Sequence, residues 1–426
     1  MSDAVAHTVL LIIAMDVSHP SLSKMQFEEN VFIRPSFEAY IATFMCFLLA
    51  LFAWGSVFYG HSVYMHALQQ HHQWSTSLIS GAILAFWLAS LPGSLLLGAI
   101  VGRIGPAFVV FLGGVITSFS LWSLGQAEHP WHIYVSYILL GFCYPSVGAA
   151  AISVTLSSYF QKGFGLALGI AFTGASVGGT LFPPSMTAAI LAYGFPQAMM
   201  MLGILVGLAI TLSSFGMYLI RKPANHYQPK DSNVWRAFSN LVSNHLFWKV
   251  AVPVSLGLGA QVGFLAHQIP IMLERVDLVQ AAYSVSLLAL ISTAGRLLVG
   301  LMVRQISPML LASICYGAHG LGITFLYLAD GIVASMMAVL MVGTTVGAIV
   351  ILPPLITRHV LGIQIFPQAF ALVNIFMYAC AGLGPWIVGL LHDFFEGYGV
   401  ALIILALVQA LAMWRIFQVR NLSASQ

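Results

Sequence analysis

Apolar residues run through this chain in long stretches, and the polar residues gather in short clusters between them. A helix needs about 20 mainly apolar residues to cross a hydrocarbon core roughly 30 Å thick. Twelve stretches meet that length: 38–67, 75–101, 107–126, 132–159, 163–192, 196–220, 247–273, 280–303, 309–328, 331–356, 366–391 and 397–418. Most connections are brief, such as Gln69 to Ser75, Gly102 to Pro106 and Glu128 to His132. One is long, residues 221–246, and it divides the helices six and six. The pattern predicts an all-α membrane protein with twelve transmembrane helices in two six-helix bundles, 38–220 and 247–418. The ends, 1–37 and 419–426, are expected as cytoplasmic tails. Ala4 to Met15 is apolar but too short to span, and Asp3 and His7 stand where a signal peptide would carry basic residues.

Composition agrees with this pattern and excludes a water-soluble fold. Charged residues make up 6% of the 426 positions and hydrophobic residues 60%, whereas a soluble chain carries about a quarter charged residues. The formal net charge of +3 comes with no Lys/Arg cluster shaped to hold phosphates, so no nucleic-acid partner is expected. The four cysteines, Cys46, Cys143, Cys315 and Cys380, sit inside apolar runs and read as packed small residues. No metal or nucleophile motif such as HExxH occurs, so neither enzymatic activity nor a cofactor is expected. With the N-terminus inside, thirteen of the fifteen Lys and Arg residues fall on the cytoplasmic side, Arg275 falls outside and Arg296 within a span. That bias predicts both termini in the cytoplasm of a plasma or bacterial inner membrane.

The two halves repeat at an offset of 202. GSLLLGAIVGRIGP (93–106) matches GRLLVGLMVRQISP (295–308), pairing Gly93 with Gly295 and Pro106 with Pro308, and the same offset pairs Gly141 with Gly343. Parallel six-helix repeats around a central cavity are a transporter architecture. On GAIVGRIGP, on the block KGFGLALGIAFTGASVGGTLFPP (162–184) and on GRLLVG (295–300), the chain resembles the major facilitator superfamily over about residues 38–418. Within it the chain is similar to the monocarboxylate-transporter-like branch that includes oxalate–formate exchangers. The resemblance implies a monomeric secondary carrier that moves a small organic anion by alternating access, with a proton as a candidate co-substrate in symport. Three departures stand against a plain inheritance. Gly102 occupies the usual Asp of the loop between the second and third helices, Ser292 occupies an acidic position one turn before Arg296, and the first helix lacks the lysine of animal monocarboxylate carriers.

Arg296 is the sharpest candidate. It lies mid-segment in the eighth helix, and no carboxylate lies inside any span to neutralise it, Glu38 standing at the very edge of the first. A guanidinium near the bilayer centre costs about 2.5–3.5 kcal/mol on insertion scales, so it must find a partner. Its planar fork matches a carboxylate bidentately, which makes an anionic substrate one partner; backbone carbonyls at a helix break are the other. His61 on the first helix and His267 with Gln268 on the seventh form a second polar group, where an imidazole would either pass or sense a proton or sit hydrogen-bonded at a helix end. Tyr144, beside the helix-loosening Pro145, and the pair Asn374 and Tyr378 on the eleventh helix complete the candidate substrate contacts, with interhelical packing as the other reading of each. A carrier that exports a larger amphipathic compound, with a structural Arg296, is the alternative; the 12% aromatic content would suit it.

Overall fold

The computed structural model describes residues 36–160, 164–220, 239–303, 305–362 and 365–423. Twelve long helices account for nearly all of them: α1 Phe37–His72, α2 Thr76–Ile104, α3 Pro106–Gly125, α4 Pro130–Ser157, α5 Phe164–Tyr193 and α6 Phe195–Leu219 form the first half. The second half holds α7 (His245–Ala266, prolonged past His267 by Gln268–Leu273), α8 Leu278–Met302, α9 Pro308–Leu328, α10 Gly331–Leu361, α11 Phe366–Phe395 and α12 Gly399–Ser423. Helix is the required form here, because a lipid-facing backbone must satisfy its own hydrogen bonds. The expected N-terminal tail to residue 35, most of the 221–246 connection, Lys162 and Arg304 lie outside the described residues. Helical structure also runs past several expected limits: α7 begins at His245, and Asp393, expected in a loop, lies in the last turn of α11.

Tight turns need particular residues. A single glycine joins α2 to α3 (Gly105, φ +83°, ψ 157°) and another joins α5 to α6 (Gly194, φ +80°, ψ 162°). That region of backbone space is essentially closed to side chains with a Cβ. Pro106 then opens α3 at a position where its missing N–H costs nothing.

The internal repeat is a repeat of packing. Within the first half α2 packs on α4, α3 on α4 and α6, and α1 on α5 and α6; the second half pairs α8 with α10, α9 with α10 and α12, and α7 with α11 and α12. The glycines matched in sequence are the points of closest approach. A Cβ on Gly93 would strike the Phe142 carbonyl, and one on Gly295 would strike the Thr344 carbonyl, its counterpart at the same offset. Gly141 against Phe86 and Gly343 against Leu288 repeat the relation. Small residues let helix backbones meet where lipid offers no hydrophobic drive.

Between the halves, α2 packs on α11 and α5 on α8. At the end of the molecule that carries Glu128, hydrogen bonds tie this seam. The Asp393 carboxylate accepts from the backbone N–H of Thr76 (3.0 Å) and Ser77 (2.7 Å), capping the N-terminus of α2. The Ser62 hydroxyl accepts from Ile269 N–H at 2.7 Å. Further in, the Ser286 hydroxyl donates to the Thr180 carbonyl at 2.6 Å.

Candidate functional site

Two local irregularities shape the middle of the first half. In α1, residues Trp54–Phe58 form a π-turn, with Tyr59 N–H bonding to the Trp54 carbonyl at 2.9 Å. The extra residue turns Trp54, Phe58 and Tyr59 away from the register of an unbroken helix. Gly55 allows it, since its Cα faces the Gly178 backbone of α5 where a Cβ would collide with Phe182. In α4, Pro145 has no N–H to give the Gly141 carbonyl. The Ser90 hydroxyl of α2 donates to that carbonyl instead, at 3.0 Å, and the helix breaks at Gly148. Tyr144 is thereby set against Trp54 (ring centroids 6.0 Å), Phe86 (5.3 Å) and Trp87 (6.5 Å).

An aromatic band follows from these placements. Trp54 also meets Phe172 of α5 at 5.7 Å, and Trp87 meets Tyr378 of α11 at 5.4 Å. Arg296 of α8 joins the band at Phe172, whose carbonyl accepts from Nη1 at 3.5 Å. That bond is long, and Arg296 Nε has no partner. Among the described residues no carboxylate lies within ion-pairing distance of the half-buried guanidinium. Its surroundings are close-fitting: a Cβ on Gly347 of α10 would sit 2.9 Å from Arg296 Cβ and 3.2 Å from Nε. Tyr59 lies near Ser292 and Arg296 and packs on Gly179, where α5 and α8 meet.

Of the expected site residues, Arg296, Tyr144 and Tyr378 are drawn into one region, with half-buried Asn374 one turn before Tyr378. The others go elsewhere. His267, at the kink of α7, has Nε2 2.9 Å from the Pro385 carbonyl and Nδ1 3.2 Å from the Tyr398 hydroxyl. The carbonyl can only accept, so Nε2 carries a proton, and the Tyr398 hydroxyl, able to donate or accept, meets Nδ1, which leaves both ring nitrogens bonded. Buried Gln268 donates to the Ser284 hydroxyl at 3.1 Å. His61 is buried between Phe86 (5.1 Å) and Tyr137 (5.5 Å) inside the first half, with no partner for either nitrogen. Trp54, Tyr59, Trp87 and Phe172 were not singled out in the sequence. Aromatics in an apolar run carry no mark of which face they occupy, and the π-turn that sets that face has no sequence signature beyond Gly55.

Comparison with known proteins completes the picture. The profile of the Major Facilitator Superfamily matches residues 43–385. The chain belongs to the major facilitator superfamily. Among curated relatives it is 28% identical over 334 residues to monocarboxylate transporter 11 of Homo sapiens, covering 75% of this chain and 69% of that one. It is 28% identical over 202 residues to MFS-type transporter 1 of an Ophiocordyceps species, covering 43% of this chain and 41% of the relative's length. Among solved structures the nucleoside transporter NupG superposes with a TM-score of 0.71 at 12% identity, over 90% of this chain and 99% of that one. The superfamily assignment makes the protein a membrane transporter and not an enzyme.

Proposed function

We propose that this transporter carries a small organic anion, monocarboxylate-like, and that Arg296 anchors its carboxylate. The observation that carries the reading is the guanidinium itself: half-buried at the seam of α5 and α8, with one long bond to a carbonyl and no acid beside it. A buried donor left unmet costs about 1–3 kcal/mol, and more when charged. A carboxylate meets two donors at once and supplies the missing counter-charge. Tyr59, Trp54, Tyr144 and Tyr378 then flank the organic part of the substrate, and Asn374 offers a polar contact. The two six-helix halves act as the moving bodies, rocking about this centre between inward and outward access. The bonds of Asp393 and Ser62 across the seam are those of a carrier closed at its Glu128 end. That end is the exterior, and both termini are cytoplasmic, in keeping with the basic-residue bias. A cysteine placed near Glu128 or Asp330 should therefore label from outside.

The test is anion-induced stabilisation of the purified protein. Mono- and dicarboxylates should raise thermal stability where their neutral amides do not. At a hundredfold excess over Kd the gain is about 2.7 kcal/mol, and Arg296→Ala should lose it while remaining folded. An Ala variant that keeps the shift overturns the anchor. The aromatic band also favours a second reading, export of a larger amphipathic compound. In that case amphipathic ligands should stabilise wild type and Arg296→Ala alike.

A further inference from the structure

Away from the central seam, α7 and α12 leave a groove of about 590 Å³ at the Gly105 end, lined by His245, Trp248, Lys249, Val252, Arg415 and Gln418. The helices fix this arrangement. Gln409 of α12 donates to the Gly257 carbonyl of α7 at 3.0 Å, which sets their antiparallel register. From there Lys249 lies eight residues toward the helix end on α7 and Arg415 six residues on α12, about 12 Å and 9 Å at 1.5 Å per residue. Both cations therefore stand at nearly one depth. Neither makes an ion pair among the described residues. Arg415 lies over the Trp414 ring, its Cζ 5.2 Å from the centroid, and the Trp248 indole N–H donates to the Val242 carbonyl at 2.8 Å. Tryptophans at the level of a cation pair mark the membrane–water interface.

We infer that this groove is a binding site for an anionic phospholipid, with Lys249 and Arg415 on the headgroup phosphate and an acyl chain along Val252. Charge complementarity selects the occupant. Two cations unmatched among the described residues, above an apolar groove, suit an amphiphile whose head is negative and whose tail runs into the bilayer. A zwitterionic lipid would bring its own cation against Lys249 and Arg415. The site is independent of the transported substrate, because it shares no residue with the Arg296 region.

The experiment uses the full chain purified in detergent, titrated with phosphatidylglycerol or with phosphatidylcholine of the same acyl chains. Phosphatidylglycerol should raise Tm by about 3 °C more than phosphatidylcholine does, and native mass spectrometry should retain it selectively. The pair Lys249→Gln, Arg415→Gln should abolish the headgroup preference and leave the response to phosphatidylcholine intact. The pair Lys249→Arg, Arg415→Lys keeps both charges and should keep the preference, which covers the case of a poorly folded glutamine variant. A wild type indifferent to headgroup, or a glutamine pair that still prefers phosphatidylglycerol, overturns the site. Inorganic phosphate reproducing the shift would make this a soluble-anion site and overturn the lipid.

Discussion

At the Glu128 end, His267 has both ring nitrogens bonded, and its partner Tyr398 is tied by its N–H to Glu274 at 3.0 Å. The same cluster reaches His392, whose Nδ1 lies 2.9 Å from the Thr76 hydroxyl, and Asp393, which caps α2. Deeper along the same seam, Arg296 has one bond of 3.5 Å and an unpartnered Nε. Both places hold polar side chains withdrawn at least halfway from the surface, and both stood out in the sequence as interruptions of an apolar run. The difference lies in how far the protein itself meets their hydrogen-bonding capacity. A closed network commits its donors to other parts of the chain and specifies one arrangement. An open one leaves donors for a ligand to meet, which is the role proposed for Arg296.

Substitutions at the two centres should therefore separate binding from folding. The largest effect is expected at Arg296. Arg296→Lys keeps the charge and loses the planar fork, so the Kd for a carboxylate should rise about tenfold or more, near 1.4 kcal/mol, with little change in Tm. His267→Gln should leave that Kd unchanged. Isothermal titration of both variants decides the matter, and a shift at His267 equal to that at Arg296 erases the contrast.

Gly347→Ala attacks the open centre from behind. The new methyl would strike the Ser292 carbonyl and stand 2.9 Å from Arg296 Cβ. Backbone cannot yield as a flexible side-chain tip does, so α8 and α10 must part, at a cost of about 1–3 kcal/mol. Arg296 should move with them and anion affinity should fall as well. Gly300→Ala, five residues beyond Gly295 on α8 and open around its Cα, is the control and should change neither.

His267→Gln sharpens the other side. Losing the bonds to Pro385 and Tyr398 should cost about 1–3 kcal/mol of stability, read by denaturation in mixed micelles. The pH profile of uptake should stay as it is, because both ring nitrogens are committed to fixed partners within the protein. A flattened profile would return His267 to the role its sequence position suggested.

Much of the fold could be read from the chain because membrane helices announce themselves by length and glycines by spacing. Gly93 and Gly295 pair in sequence and pair again in packing, each against the counterpart carbonyl of the fourth or tenth helix. Arg296 was legible for a similar reason, as a lone charge in an apolar segment needs no structure to be conspicuous. His267 was ambiguous because its fate rests on Pro385 and Tyr398, 118 and 131 residues away. Tyr59 and Trp54 escaped notice because one extra residue in the π-turn decides which way they face. Asp393 read as a loop acid, and only the meeting of α11 with α2, 316 and 317 residues apart in sequence, makes it a cap.

Asp393 yields the smallest effect and the most direct test of what the closed network does. Its carboxylate sits at the positive end of α2, with Thr76 and Ser77 N–H pointing at it. Asp393→Asn keeps an acceptor oxygen and removes the charge, which at a helix N-terminus is worth about 0.3–1 kcal/mol. The cap joins α11 to α2, so in the proposed cycle the loss falls on the state closed at the Glu128 end. The population open at that end should rise roughly two- to fivefold. A cysteine at Ser286, buried below the seam bonds, reports it in a background without the four native cysteines. Its labelling by an impermeant maleimide should quicken by the same factor in Asp393→Asn, with anion affinity at Arg296 little changed. Equal labelling rates would mean that the seam is held by packing of α2 on α11 alone, and that the charge at Asp393 acts only within its own end of the helix.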